Sequence, residues 1–129
     1  MKEILLLLSM VFFHIVDDYY LQSILAQMKQ KNWWEKNYPN KMYEKDYIIA
    51  LLEHAFSWTY MIHIPVVVYC ASNYTSLNIP LFILIFAINF STHMLVDNAK
   101  CNLYKLNLVQ DQLIHIIQIC ITWLIYINF

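Results

Sequence analysis

The sequence predicts an all-α membrane protein: a polytopic bundle of four transmembrane helices forming a single domain over residues 1–129. Three observations carry this. Four apolar stretches each approach the ~20 residues that cross ~30 Å of hydrocarbon. The chain is 60% hydrophobic and 13% charged, about half the ~25% charge of a soluble domain, so there is too little polar surface to cover a water-facing globule. The lysines gather in two of the three connections between the stretches. Backbone groups in lipid must bond within their own segment, which makes the stretches helices.

The first stretch runs from Ile4 to about Met28, apolar to Val16 and amphipathic beyond. Met1-Lys2-Glu3 before it resembles the start of a signal peptide, but Asp17-Asp18-Tyr19-Tyr20 follows where a small-residue cleavage site belongs, so a retained helix is expected. The second stretch is Tyr47–Cys70, with Asp46 as its expected cap. The third is Ile79 to about Ala99, with Asn78 as cap and Pro80 in the first turn, where a missing N–H costs nothing. The fourth is Leu108–Phe129, and Asn107 with Gln110 forms a capping-box pattern.

Seven of the eight lysines lie in the connections 29–46 and 100–107, and the turn 71–78 is uncharged. The positive-inside rule puts the two lysine-bearing connections in the cytoplasm and both termini outside. Trp33, Trp34, Tyr38, Tyr43 and Tyr47 read as an interfacial aromatic belt. A net charge of −1 offers no footprint for nucleic acid. Membrane lipid is the expected partner, with a second copy or another membrane protein beside it. Cys70, Cys101 and Cys120 fit no disulfide or thiolate-metal spacing and read as apolar fillers.

Ionisable residues inside the helices carry the chemistry. His14, Asp18 and Gln22 stand at i, i+4 and i+8 on one face, His93 and Asp97 repeat the i, i+4 step, and Asp111 and His115 reverse it. The reversal matters because the fourth helix runs opposite to the first and third. In all three the aspartate then lies nearer the lysine-bearing end and the histidine one turn deeper. His54 enters from the same end. Such costly groups are tolerated where partners or function answer them.

Imidazole and carboxylate one turn apart suit a divalent ion (Zn, Mn, Fe or Mg), and the supply is enough for one ion or two. The metal-ligand candidates are His14, Asp18, His54, His93, Asp97, Asp111 and His115. Catalytic work falls to Asp18, Asp97 and Asp111, with Gln22 and Gln112. Lys100 either snorkels to headgroups or binds a substrate phosphate. His54 is expected at the rim of the pocket or in its shell. Asp17 points about 100° from Asp18 and is expected to act behind it. Glu53 is expected at the interface, and His63, near Pro65, in packing. The charge balance also argues for an ion: the chain lacks arginine, and Lys100 alone cannot serve three aspartates.

His14-Ile-Val-Asp-Asp18-Tyr-Tyr-Leu-Gln22 matches H-x3-D-[FY]-x-L-Q, His93-Met-Leu-Val-Asp97-Asn-Ala-Lys100 matches H-x3-D-x2-K, and Asp111-Gln112-Leu-Ile-His115 matches D-Q-x2-H. With His54 between the first two, the set resembles an uncharacterised family of small bacterial and phage membrane proteins, number 3307 among the domains of unknown function. The resemblance spans nearly the whole chain. It implies a bacterial inner-membrane location and phage or bacterial origin, and a loose likeness to inner-membrane metal-dependent hydrolases. Two departures stand out: Trp58 occupies a place where a further histidine is expected, and the connection around Trp33-Trp34 is extended.

Three functional readings stay open on the sequence. One is a metal-dependent hydrolase acting on a phosphoester or lipid at the cytoplasmic leaflet. Another is an ion, proton or metal transporter. The third is a non-enzymatic membrane factor with a structural polar core.

Overall fold

The computed structural model describes residues 1–73 and 76–128. The middle of the uncharged turn, Tyr74 and Thr75, and the end of the fourth stretch, Phe129, lie outside the described residues. The chain is all-α: α1 (Lys2–Ile15) with a π-helical continuation (Val16–Leu21), α2 (Leu25–Met28), α3 (Lys31–Asn37), a 3-10 turn (Lys41–Tyr43), α4 (Asp46–Ser72), α5 (Ile79–Cys101) and α6 (Leu108–Asn128). Four helical spans are long and apolar enough to cross a membrane: Lys2–Leu21, Lys41–Ser72, Ile79–Cys101 and Leu108–Asn128.

The bundle is polar inside and apolar outside. Leu8 and Phe12 on α1, Ile83 and Leu95 on α5, and Leu113 and Ile121 on α6 are exposed, while His14, His54, His93 and His115 are buried. Water would punish this arrangement, and lipid accepts it. One end of the interior is nevertheless apolar: Leu6, Met10, Trp58, Ile62, Val66 and Ile119 pack together. The buried carboxylates, with His14, His54, His93 and His115, occupy the other end, beneath the lysine-bearing connections.

The first stretch is not one helix to Met28. Its last turns wind as a π-helix, seen in the Gln22 N–H bond to the Asp17 carbonyl at 3.2 Å. The wider winding turns two consecutive residues, Asp17 and Asp18, into the interior together. The chain then breaks at Ser23, whose φ of 41° lies in the left-handed region. With no glycine in the sequence, serine has to occupy that conformation. Beyond it, α2 and α3 fold back over the end of the bundle.

Two of the three expected caps form. Asn78 accepts from Leu81 N at 3.1 Å. Asn107 and Gln110 bond reciprocally, at 3.0 and 2.9 Å. Asp46 is a first-turn residue of α4 rather than its cap; Lys45 holds the cap position without a side-chain bond. Pro65 sits inside α4 without ending it, as membrane helices allow.

Asn102 ties the two lysine-bearing connections to each other. It accepts from Lys31 N at 2.7 Å and donates to the Lys29 carbonyl at 3.0 Å. Asn32 adds a bond to the Tyr104 hydroxyl at 2.7 Å. The connection 29–46 therefore packs onto the bundle. Its rings form one aromatic group, Trp33 against Trp34 and Tyr38, and Tyr38 against Tyr43.

Candidate metal centre

Each span contributes to one buried cluster. The π-turn brings Asp17 and Asp18, α4 brings His54, α5 brings His93 and Asp97, and α6 brings Asp111 and His115. Two groups within it have ligand atoms that all lie within 4.8 Å of one another: Asp18, His54 and His93, and His93, Asp97 and His115. They share His93. All five residues are buried.

His54 stands in the middle of the cluster. Its Nε2 lies 3.3 Å from Asp18 Oδ1 and 3.5 Å from Asp97 Oδ2. Its Nδ1 faces Asp17 Oδ2 at 3.5 Å. Asp17 is itself held by the Ser57 hydroxyl, which donates to Oδ1 at 2.5 Å. Asp17 therefore stands on the Nδ1 side of His54, the side away from Asp18 and Asp97, where a carboxylate stands behind a metal-bound imidazole.

His115 Nε2 lies 3.5 Å from Asp97 Oδ1 and 3.4 Å from Asp111 Oδ1. The His93 ring lies against both the Trp58 and the His115 rings, at 4.2 and 4.1 Å between centroids, and those two are 5.4 Å from each other, so the three rings form a triangle. Trp58 thus forms the floor of the cluster and the top of the apolar core. Where the family pattern led us to expect another histidine, an indole seals the site from below.

His14 belongs to the cluster but its nitrogens are committed elsewhere. The Trp58 indole can only donate, and it donates to His14 Nδ1 at 2.7 Å. The remaining nitrogen, Nε2, must then carry the proton, which points at Gln112 Oε1, 3.2 Å away. Gln112 Nε2 in turn donates to Asp18 Oδ2 at 3.0 Å and to Asp111 Oδ2 at 3.1 Å. In this arrangement His14 is no ligand. It aims Gln112, and Gln112 bridges two carboxylates.

Lys29 was not singled out by the sequence reading. It is 5% exposed, and its ammonium lies 2.5 Å from Asp97 Oδ2. Lys100 is paired as well, 2.6 Å from Asp111 Oδ2, so its ammonium is not a free phosphate site. Two of the aspartates therefore have lysine partners, and the expectation that Lys100 stood alone fails. Lys29 was hidden among five lysines of one connection.

Gln22 turns its Nε2 onto the Asp18 carbonyl of its own helix, and its Oε1 is buried without a partner. His63 donates to the Thr59 carbonyl at 2.7 Å, a packing histidine well away from the cluster. Glu53 is exposed. Cys70, Cys101 and Cys120 form no disulfide.

Thr59, His63 and Tyr126 each leave one buried polar atom without a hydrogen-bond partner elsewhere in the bundle, but most such atoms gather in the cluster. Among the described residues they include Asp18 Oδ1, His54 Nε2, both nitrogens of His93, Asp111 Oδ1 and His115 Nε2. Buried polar atoms are ordinarily satisfied, so such a concentration calls for an occupant. Oxygen and imidazole nitrogen donors fit a divalent ion of the zinc, manganese or iron type. No protein-family model, curated protein or solved structure matches the chain.

Proposed function

We propose that the chain is a membrane-embedded metalloprotein of the hydrolase type, holding one or two divalent ions through Asp18, His54, His93, Asp97 and His115. The unpartnered donor atoms converging on His93 carry the reading. Charge supports it. Four buried carboxylates (Asp17, Asp18, Asp97 and Asp111) face two lysine ammoniums, and with neutral imidazoles a divalent ion supplies the two missing positive charges.

Bound there, such an ion would supply Lewis acidity to a phosphoester and a nucleophile at neutral pH. The chain's own groups do the positioning. Asp17 sets the His54 ring. Gln112 holds Asp18 and Asp111 at a fixed separation. Lys29 and Lys100 hold the outer oxygens of Asp97 and Asp111, leaving the inner ones toward the histidines. The Lys100 side chain is 30% exposed, so the Lys100–Asp111 pair lies on the solvent side of the cluster. Gln22 Oε1 is an acceptor for a substrate hydroxyl. The three motifs tie this proposal to the family of bacterial and phage membrane proteins, with the lysine-bearing end in the cytoplasm.

The test is hydrolysis of phosphoester lipids in vesicles by purified protein, with and without chelator. We expect activity that chelator removes and zinc or manganese restores, and that His93→Ala lacks. Hydrolysis untouched by chelator would refute the metal dependence, and no hydrolysis by metal-loaded protein would refute the hydrolase reading.

One observation favours a second reading. From His115 a line of polar groups continues into the other half of the bundle through Gln118, Asn89 and Thr122. Intramembrane polar lines of this kind mark ion or proton paths. Flux across sealed liposomes, stopped by Asn89→Leu, separates that reading from the first.

A further inference from the structure

We infer that Gln118 is a positioning residue of the metal centre: it holds His115 in the tautomer that turns the Nε2 lone pair toward Asp97 and Asp111. The geometry stands by itself, whereas the purpose rests on the metal reading above.

The main-chain carbonyl of Asn89 can only accept. Gln118 approaches it with its amide end at 3.3 Å, so that end is the NH2. The same NH2 reaches Asn89 Oδ1 at 3.2 Å. Asn89 is oriented in its turn, its own NH2 donating to Thr122 Oγ1 at 2.8 Å. With its nitrogen facing Asn89, Gln118 must present Oε1 to His115 Nδ1, 3.3 Å away. An amide oxygen accepts, so Nδ1 carries the proton. The neutral ring then has its lone pair on Nε2, the atom facing both carboxylates.

His14 provides the contrast. There the partner of Nδ1 is a donor, the Trp58 indole, and the tautomer is the opposite one. Two histidines of one cluster are thus set in opposite senses by what their Nδ1 atoms meet. One becomes a hydrogen-bond donor to Gln112 and the other a ligand. Gln118 is 8% exposed and His115 fully buried, so water does not compete for either bond. Gln118 lies outside all three sequence motifs, three residues after His115.

The experiment uses the full chain in lipid nanodiscs with 15N-labelled histidine, titrated with zinc. In the parent, we expect His115 Nδ1 to keep its proton in the zinc-free and zinc-bound forms, with coordination through Nε2. Gln118→Leu should weaken zinc binding by about 10–100-fold, the usual effect of removing a partner behind a ligand. Gln118→Glu, whose protonated oxygen can donate to Asn89 while the other accepts from Nδ1, should stay within a few-fold of the parent. Coordination of zinc through Nδ1 would overturn the inference, as would Gln118→Leu binding zinc like the parent. A parent that binds no zinc but protonates Nδ1 as described would instead remove the metal reading, and with it the positioning role. If Gln118→Leu does not fold, the nitrogen signals of the parent still decide the tautomer.

Discussion

Lys29 sits in the most basic part of the sequence, where a lysine is ordinarily a topology signal, and yet its ammonium is buried against Asp97. Removing one partner of a buried pair leaves the other charge uncompensated, at a cost of about 3–5 kcal/mol. Lys29→Met should therefore lower the unfolding free energy of metal-free protein by roughly 3 kcal/mol. Saturating zinc should recover part of that loss, because a ligand bound only by the folded state stabilises it. Denaturation in mixed micelles with and without zinc measures both, and equal losses in the two conditions would separate Lys29 from the site. Burial is why the sequence could not show this. The i, i+4 spacing revealed His93–Asp97 and Asp111–His115 because those pairs lie on single helices. Lys29–Asp97 and Asp17–His54 join different elements, and spacing is silent across elements.

At the scale of elements, the long helices were legible and the irregular stretch after α1 was not. Apolar length locates α4, α5 and α6 to within a few residues, and Asn78 and Asn107 mark two starts by their capping chemistry. The π-turn has no comparable signature. Val16–Leu21 reads as ordinary helix, and Ser23 is not a residue that announces a left-handed break. A left-handed conformation costs a non-glycine residue about 1–2 kcal/mol. Ser23→Gly should therefore raise the thermal midpoint, and a lowered one would place the stabilising bonds of that turn in the serine itself. Asn102 is the clasp holding the strap that carries Lys29. Asn102→Leu should free the strap and expose residues 30–38 to hydrogen exchange, while α5 and α6 stay protected.

The whole molecule is a polar-centred bundle in an apolar coat, with its metal-type donors gathered near one end. If that end is cytoplasmic, cysteines placed at Lys36 and Lys105 in intact cells should resist an impermeant reagent. A cysteine added before Met1 should react, and the reverse pattern would invert the orientation. The bundle and the convergence of the pairs could be read from helical periodicity and helix direction, whereas the ligand set could not. His14 and His115 have the same i, i+4 relation to an aspartate, and only their neighbours, Trp58 and Gln118, distinguish what their Nδ1 atoms meet. The central claim is that the unpartnered atoms around His93 hold a divalent ion. Elemental analysis of protein purified without chelator, parent beside His93→Ala, tests it most directly. The expected result is stoichiometric zinc, manganese or iron in the parent and little in a folded His93→Ala. A parent that is folded, metal-free and unable to take up added metal would contradict the claim.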